Sequence, residues 1–280
     1  MRQFLTGIPV FILLSTMLSC KTAQKVDKPK IDILSTSIRD IKVIPTIIEV
    51  DELSNIYIVD DANVLRVYDK SKVKKFEYSD NRSGKITSLD VSNPLNPTVF
   101  YKDFGKIVML DNSLSLVKEV NFNSGGKFVT AGPVCLSNDK NYWVYDRQTQ
   151  KIVKINDIKK VLVETNHFND LKMEGKIPHK MIEEGNFLAV LIWGDGFMLF
   201  DNFGQFIKAI PAPQALDFQF DGKTLVFKTM TGLKSQGISS FDFVSLGMPM
   251  SIKVEDVRIL KMGQQVFVAG YKDGVDIVLK

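Results

Sequence analysis

The chain has 280 residues, of which 45% are hydrophobic and 24% are charged, so it can bury a substantial core and is not a disordered polymer. Its 36 Lys and Arg residues and 32 Asp and Glu residues give a net charge of +4, too small and too evenly spread to indicate a nucleic-acid surface. Only two cysteines, Cys20 and Cys135, and two histidines, His167 and His179, are present. A disulfide-stapled scaffold and a cysteine-rich metal site are therefore excluded.

The N-terminal residues predict export. Arg2 precedes an apolar run over residues 4–18, which is shorter than the roughly 20 residues that a membrane-spanning helix needs. The run ends in Met17-Leu18-Ser19-Cys20, which resembles the bacterial lipobox, with Met17 in place of the usual leucine. The resemblance implies that residues 1–19 are a signal peptide and that Cys20 carries the lipid. The alternative is an ordinary N-terminal anchor in which the cysteine is incidental.

Residues 20–30 are predicted to be the lipidated cysteine and a flexible tether, because they are polar, basic and poor in apolar side chains. Lys21 follows the cysteine where an aspartate would resemble an inner-membrane retention signal, and no acidic run resembles a surface-export signal. The resemblance therefore implies the periplasmic face of the outer membrane. The overall composition is similar to that of Bacteroidota proteins.

The remaining chain repeats one unit. Each copy has a polar start, a β-branched or aromatic run, a turn with Asp or Gly, and a second apolar run. The copies begin at Asn55, Pro97, Asn141, Phe187, Thr224 and Gln265. These starts lie 37 to 46 residues apart, which is the spacing of four-stranded propeller blades. The sequence predicts an all-β, six-bladed β-propeller over residues 31–280, with five or seven blades as the alternatives.

Each unit is predicted to contain four strands, except the sixth, which has three. The first strands are predicted at 46–52, 85–92, 128–137, 177–184, 215–221 and 257–263. The third strands are predicted at 64–68, 106–110, 151–155, 197–200, 239–243 and 275–279. The fourth strands are predicted at 73–78, 116–122, 160–165, 206–210 and 248–254. A spare N-terminal strand within residues 31–44 would complete the sixth blade and leave no unpaired edge.

The acidic residues between strands favour turn chemistry over metal binding. Asp195-Gly196 and Asp273-Gly274 fit tight turns with positive φ, which glycine tolerates. Equivalent positions hold Asp60, Asp61, Asp103 and Asp146. No calcium-loop motif occurs, and equivalent turns of radiating blades lie apart, so we expect no metal site among them.

Candidate metal ligands also occur between blades 3 and 4. They are His167, His179, Asp170 and Glu174. A metal site needs at least three good ligands, and two solvated loop histidines are the simpler interpretation. We therefore predict no metal.

Motifs that carry catalysis are not found in the sequence. Ser124-Gly125-Gly126-Lys127 resembles a phosphate-binding loop only weakly, because it lacks the upstream glycine and a following helix. Cys135 lies in an apolar strand without a nearby base and is expected to be a buried thiol. Four aromatic residues of the central strands are expected to pack between blades: Trp143, Trp193, Tyr142 and Tyr145. The sequence predicts no catalytic residue and no cofactor.

Long connections are the predicted place for partner binding, because propellers carry function in loops on their two faces. Those connections are 79–84, 121–127, 167–176 and 229–237. Together with residues 248–250, they supply apolar side chains suited to protein contact: Phe122, Phe168, Leu171, Met173, Met230, Leu233, Met248 and Met250.

These features predict a non-catalytic scaffold or adaptor lipoprotein that binds outer-membrane or periplasmic proteins through its faces. In layout the chain is similar to the propeller lipoprotein of the outer-membrane β-barrel assembly machine, which has more blades. It also resembles lipoprotein subunits (PorD-like) of the type IX secretion translocon. The alternative is a periplasmic ligand-binding or hydrolytic propeller acting on a sugar or peptide. Its candidate channel residues are Asp90, Lys180, Glu183, Asp217 and Arg258.

Overall fold

The computed structural model describes residues 39–122 and 131–280, which form six antiparallel sheets in a propeller arrangement. Blade 1 contains β1 (Pro45–Val50), β2 (Ile56–Asp60), β3 (Leu65–Tyr68) and β4 (Lys74–Tyr78). Blade 2 contains β5 (Ser88–Asp90), β6 (Thr98–Tyr101), β7 (Lys106–Leu110) and β8 (Leu116–Asn121). Blade 3 contains β9 (Ala131–Leu136), β10 (Tyr142–Asp146), β11 (Lys151–Ile155) and β12 (Val161–Glu164).

Blade 4 contains β13 (Lys180–Glu184), β14 (Phe187–Ile192), β15 (Gly196–Asp201) and β16 (Phe206–Pro211). Blade 5 contains β17 (Asp217–Phe220), β18 (Thr224–Thr229), β19 (Gly232–Gly237) and β20 (Val244–Ser245). Blade 6 contains β21 (Ile259–Met262), β22 (Val266–Gly270) and β23 (Val275–Leu279). Two short 3-10 turns, Lys102–Phe104 and Val254–Asp256, are the only helical segments among the described residues, and no helix there could span a membrane. The predicted six-bladed, all-β fold is confirmed.

The strands of each blade follow chain order from the axis outward, and each pairs antiparallel with the next. Two faces follow from this order. The face that carries the first-to-second and third-to-fourth turns is called the hairpin face below. The opposite face carries the second-to-third turns and the connections between blades, and is called the crossover face.

The core consists of six apolar clusters, each lying between two adjacent blades. Second and third strands supply most of the buried side chains, because both of their faces are covered by neighbouring blades. Trp143 is fully buried between blades 3 and 4, and Tyr142 is fully buried between blades 2 and 3. This packing explains the near-continuous apolar runs of the central strands.

The sixth blade is closed by the N-terminal segment. Ile41 and Val275 exchange both backbone hydrogen bonds, at 3.0 and 2.9 Å, on the outer edge of β23. Arg39 adds ion pairs to Asp273 and Asp276 and lies 3.5 Å over the ring of Tyr271. The predicted closure is present as this single bridge, and residues 31–38 lie outside the described part of the chain.

The fifth blade corrects the prediction. Its third strand is β19, where a long connection was expected, and its fourth strand is β20, so the strands predicted at 239–243 and 248–254 are wrong. The error has a clear cause, because Gly232-Leu-Lys-Ser-Gln-Gly237 has glycine at both ends and only one apolar side chain. Its tight turn through Met230 and Thr231 is held by the Thr231 N–H, which donates to Thr229 Oγ1 at 3.2 Å.

The turn assignments are mostly correct. Asp60 accepts the backbone N–H of Val64, and Asp146 accepts that of Gln148, so both carboxylates stabilise turns. Gly196 has φ +127°, as expected for its tight turn. Gly274 is different, because its φ lies outside the left-handed region and a Cβ there would approach the Cβ of Arg39 to 2.6 Å. The absence of a side chain at Gly274 lets the N-terminal segment pack against this turn.

Candidate binding site at the ring axis

A cavity of about 640 Å³ lies where the six first strands meet. It reaches from His179, near the crossover face, to Glu52, Asp221 and Gln264 on the hairpin face. Its charged lining is unbalanced, with seven carboxylates against two lysines. The carboxylates are Glu49, Asp51, Glu52, Asp90, Glu184, Asp217 and Asp221, and the lysines are Lys180 and Lys280.

Four charged residues form a closed cluster inside the ring, called the ion cluster below. Lys180 lies 2.6 Å from Glu49 Oε1 and 3.1 Å from Asp217 Oδ1. Lys261 lies 2.9 Å from Glu49 Oε2 and 2.6 Å from Asp217 Oδ2. Each carboxylate therefore contacts both lysines, and each lysine contacts both carboxylates. Glu49 and Lys180 belong to blades 1 and 4, which are opposite in a six-membered ring, so their ion pair crosses the axis.

The pKa values of Lys180 and Asp217 are shifted in the directions that keep both groups charged. Burial lowers the pKa of Lys180, but Asp217 and Glu49 outweigh this effect and the pKa lies above its ordinary value. Burial raises the pKa of Asp217, but Lys180 and Lys261 outweigh it and the pKa lies below its ordinary range. Lys261 is only 1% exposed, which a lysine tolerates when it is paired.

The hairpin-face end of the cavity is acidic. Burial, together with the carboxylates of Glu52, Asp90 and Asp221, raises the pKa of Glu184, while the N–H of Gly185 opposes this shift by donating to it. These four carboxylates come from blades 1, 2, 4 and 5 and are called the acidic mouth below. All four line the same cavity, so the ends of the first strands converge, unlike the outer turns considered in the sequence.

The crossover-face end carries an aromatic pair. The ring of His179 stacks on that of Trp193, with centroids 3.5 Å apart and planes at 27°. The indole N–H of Trp193 donates to the carbonyl of Leu216 at 2.9 Å. Partial desolvation of the imidazole lowers the pKa of His179 to about 4, which outweighs the opposing effect of Asp217. Trp193 is 57% exposed, so the expectation that it packs between blades is wrong, whereas Trp143 is buried as expected.

The candidate channel residues divide into two groups. Asp90, Lys180 and Asp217 line the cavity as predicted. Glu183 is instead buried between blades 3 and 4, where it accepts the indole N–H of Trp143 at 2.9 Å and lies 3.6 Å from Lys154. Arg258 is exposed, and its backbone N–H donates to the carbonyl of Gly270. Neither Glu183 nor Arg258 lines the cavity.

Three of the predicted partner-binding residues are in the core. Phe122 packs against Phe100 between blades 2 and 3, Phe168 packs against Tyr145, and Leu233 belongs to β19. Their assignment to an exposed rim is wrong, because apolar residues next to a polar loop can also anchor that loop to a blade. Leu171, Met173 and Met248 are half-buried, while Met230 and Met250 are exposed on the crossover face. Partner contact by these five stays a prediction.

The remaining candidates lie elsewhere. Cys135 is buried, and burial is the main cause that raises the pKa of its thiol. His167 belongs to the connection after blade 3 and does not line the axial cavity. No group of three or more potential metal ligands occurs among the described residues. Cys20 and Ser124–Lys127 lie outside the part that the structure describes.

Sequence reasoning missed Glu49, Lys261, Glu52 and Glu184. Glu49 and Lys261 lie within apolar first strands, where a charge that interrupts an apolar run is a usable signal of a site at the axis. Glu52 and Glu184 lie at first-strand ends, and only the closed ring brings them together. Their sequence separation carries no such information.

No family model and no curated protein matches the chain. Solved structures do resemble it. A streptogramin B lyase matches with a TM-score of 0.56 and 12% identity, over 85% of this chain and 94% of that chain. The extracellular domain of BT4673 from B. thetaiotaomicron matches with a TM-score of 0.52 and 16% identity, over 83% of this chain and 32% of that chain. A protein of unknown function from Bacteroides caccae matches with a TM-score of 0.50 and 9% identity, over 68% and 76%. At these identities the resemblance shows the propeller fold alone.

Proposed function

We propose that this chain is a non-catalytic binding protein of the bacterial envelope, an adaptor whose axial cavity takes a positively charged group of its ligand. The observation that carries the proposal is the cavity of about 640 Å³ on the propeller axis, with seven carboxylates and two lysines in its lining. A concave site with a few convergent charged groups is where proteins of unknown activity most often bind ligands.

The acidic mouth supports a cationic group. A partly enclosed site with low-dielectric walls strengthens the field of its carboxylates relative to open water. Burial raises the pKa of Glu184, and the carboxylates of Glu52, Asp90 and Asp221 raise it further because they repel its charge. A bound cation would relieve that repulsion, so the carboxylates of the acidic mouth favour binding.

A binding role is also supported by the hydrogen bonds of the carboxylates. Asp51 accepts the backbone and side-chain N–H groups of Asn55, and Asp90 accepts the backbone N–H of Leu136. Asp221 accepts two turn N–H groups, and Glu49 and Asp217 are held in the ion cluster. These carboxylates are held in place by structural partners, so they can present a fixed arrangement of negative charge to a cationic group.

The proposed location is the periplasmic face of the outer membrane, with the lipid on Cys20. In that setting the adaptor belongs to a multi-subunit secretion or assembly complex. Replacing Cys20 with Ser is expected to move the protein from the membrane pellet to the soluble fraction, because the acyl chains on this cysteine are its anchor. A Cys135→Ser variant is the control and should remain in the pellet. Equal pelleting of both variants would refute the lipid anchor.

A small ligand bound at the other end of the cavity is the second candidate. It is favoured by the exposed ring of Trp193, which His179 and the carbonyl of Leu216 hold in place next to the ion cluster. Such a fixed indole can stack on the flat face of a sugar or peptide ring. Trp193→Ala would abolish binding of this kind and leave cation binding at the acidic mouth unchanged.

Spermidine is the probe for the main proposal, because it is a small, flexible trication. Calorimetric titration at low salt is expected to show saturable binding that weakens with added salt. Replacing both Glu52 and Glu184 with Gln should weaken it about tenfold or more, since one lost charge contact in a partly buried site is worth about 1–2 kcal/mol. The control is Glu77→Gln, which removes an exposed carboxylate from outer strand β4. Equal affinities in wild type and the double variant would overturn the proposal.

A further inference from the structure

The hairpin-face turns share one local design. In blades 1 to 4, the third-to-fourth turn starts with Asp69, Asp111, Asn156 or Asp201. The fourth turn residue has positive φ in each case, and its N–H donates to the carbonyl of the first. The first side chain accepts the N–H of the fifth residue in all four. This geometry leaves the third residue at the tip of the turn.

The tip residue differs between blades. It is Ser71 in blade 1 and Ser113 in blade 2, which is the ordinary choice for a solvated turn. In blade 3 it is Ile158, and in blade 4 it is Phe203, each 75% exposed. The turn gives no structural reason for a large apolar side chain here, because serine occupies the same position twice.

Apolar tips continue around the hairpin face. The third-to-fourth connection of blade 5 carries Phe241, which is 98% exposed. The first-to-second turns of blades 1 and 2 carry Leu53 and Leu95, which are 66% and 64% exposed. Five adjacent blades thus each present one large apolar side chain on the face where the acidic mouth opens.

We propose that the hairpin face is a docking surface for a partner protein that inserts a lysine- or arginine-bearing segment into the acidic mouth and covers the five apolar tips. The proposal rests on the proposed function, since it names the source of the positively charged group. Charge complementarity selects the partner, because Glu52, Asp90, Glu184 and Asp221 line the axial cavity at the centre of the face. An apolar ring around charged groups that pair across the contact is the usual composition of a specific protein interface.

The same charges disfavour a membrane as the occupant. Anionic lipid headgroups would be repelled by the four carboxylates at the centre of the face, where a surface that binds such lipids would concentrate Lys and Arg instead. A protein partner can match both features at once. A standard interface buries about 800 Å² per partner, and tips on five of the six blades offer contacts around most of the ring.

Photocrosslinking in the cells that make the protein tests the docking surface. Benzoylphenylalanine replaces Ile158, Phe203 or Phe241 one at a time in the full-length protein. Phe76 and Glu119, which are exposed on the outer strands β4 and β8, are the control positions. The expected result is one protein adduct shared by the three hairpin-face positions and absent from the controls. Mass spectrometry should find the attached peptide to contain Lys or Arg. Glu52→Gln with Glu184→Gln should reduce the adduct at least fivefold without lowering the thermal unfolding temperature.

Each other outcome overturns the inference. Absence of adducts from the three positions, with spermidine binding intact, removes the docking surface and leaves the proposed function standing. If adducts persist in the Gln double variant, the partner does not insert a basic segment into the acidic mouth. If the wild type also fails to bind spermidine, the proposed function is refuted as well. Adducts with phospholipid would identify a membrane instead. Phe203→Ser copies the tip of blades 1 and 2 and should lower the adduct formed at position 241, whereas Phe76→Ser on outer strand β4 should not.

Discussion

Replacing Lys261 with Met should destabilise the protein more than any surface charge substitution. Lys261 is 1% exposed and contacts Glu49 at 2.9 Å and Asp217 at 2.6 Å. The variant keeps the volume of the side chain but leaves two carboxylates to share Lys180. Their repulsion and incomplete pairing inside the ring are the cause of the expected loss.

The magnitude follows from opposing terms. At an effective dielectric constant near 20, each of the two contacts is worth about 6 kcal/mol of direct attraction. Most of this is offset because the ammonium group no longer has to be removed from water. A net cost of about 3–5 kcal/mol remains, which is the range for breaking a buried ion pair by removing one partner. The exposed pair of Lys151 and Glu164 provides the control, and Lys151→Met should cost less than about 1 kcal/mol.

Urea unfolding of the full chain, followed by both fluorescence and circular dichroism, measures these differences. The double variant Lys261→Met with Asp217→Asn retains the balanced pair of Lys180 and Glu49. Its cost should therefore fall below the sum of the two single costs by about 1–3 kcal/mol. The ion cluster would be refuted as a coupled unit if Lys261→Met lowered the free energy of unfolding no more than Lys151→Met does. Strictly additive losses for Lys261→Met and Asp217→Asn would refute it as well.

Three further predictions concern other sites. Gly196→Ala should lower the free energy of unfolding in urea by about 3 kcal/mol, because its Cβ would lie 2.3 Å from the backbone of Ile210 and Ala212. Gly194→Ala in the same turn has open space around its Cβ and should lower it by about 1 kcal/mol. Glu184→Gln should raise the unfolding temperature at pH 7 but not below about pH 4, because a carboxyl with a raised pKa gives stability at low pH that is lost as the pH rises. Glu77→Gln should lower the unfolding temperature at pH 7, because the carboxyl pKa of Glu77 is lowered, mainly by Lys74. Changes in the same direction for both variants would contradict the acidic mouth. Cys135 should react with iodoacetamide only after unfolding, since burial raises the pKa of its thiol; rapid labelling of the native protein would place it at the surface.

The fold could be predicted because repetition supplied more information than any single strand. Most predicted first, second and third strands lie within a few residues of those observed, and turn residues such as Gly196 marked the boundaries. The prediction failed in blade 5, where the repeat lacks the apolar pattern of the other units. In β19, packing between blades stabilises a strand that residues such as Lys234, Ser235 and Gln236 do not indicate.

The axial site was predictable only in part. Lys180 and Asp217 stood out as charges at the starts of first strands, and the structure joins them at 3.1 Å. Glu49 is 131 residues away from Lys180 in the chain, so only closure of the ring brings the two together. Phe122 and Phe168 were misplaced because sequence cannot distinguish an apolar side chain that faces solvent from one that anchors a loop.

Hydrogen exchange with and without spermidine is the most direct test of the central claim, because it locates the bound cation on the chain. The account predicts slower exchange in the turns that follow β1, β5, β13 and β17, where the acidic mouth lies, and in the first strands that lead to them. At a spermidine concentration that saturates only the wild type, the same segments of the Glu52→Gln and Glu184→Gln double variant should show much weaker protection. Protection confined to the crossover face around Trp193 and Met230, or no protection at saturating spermidine, would contradict the account.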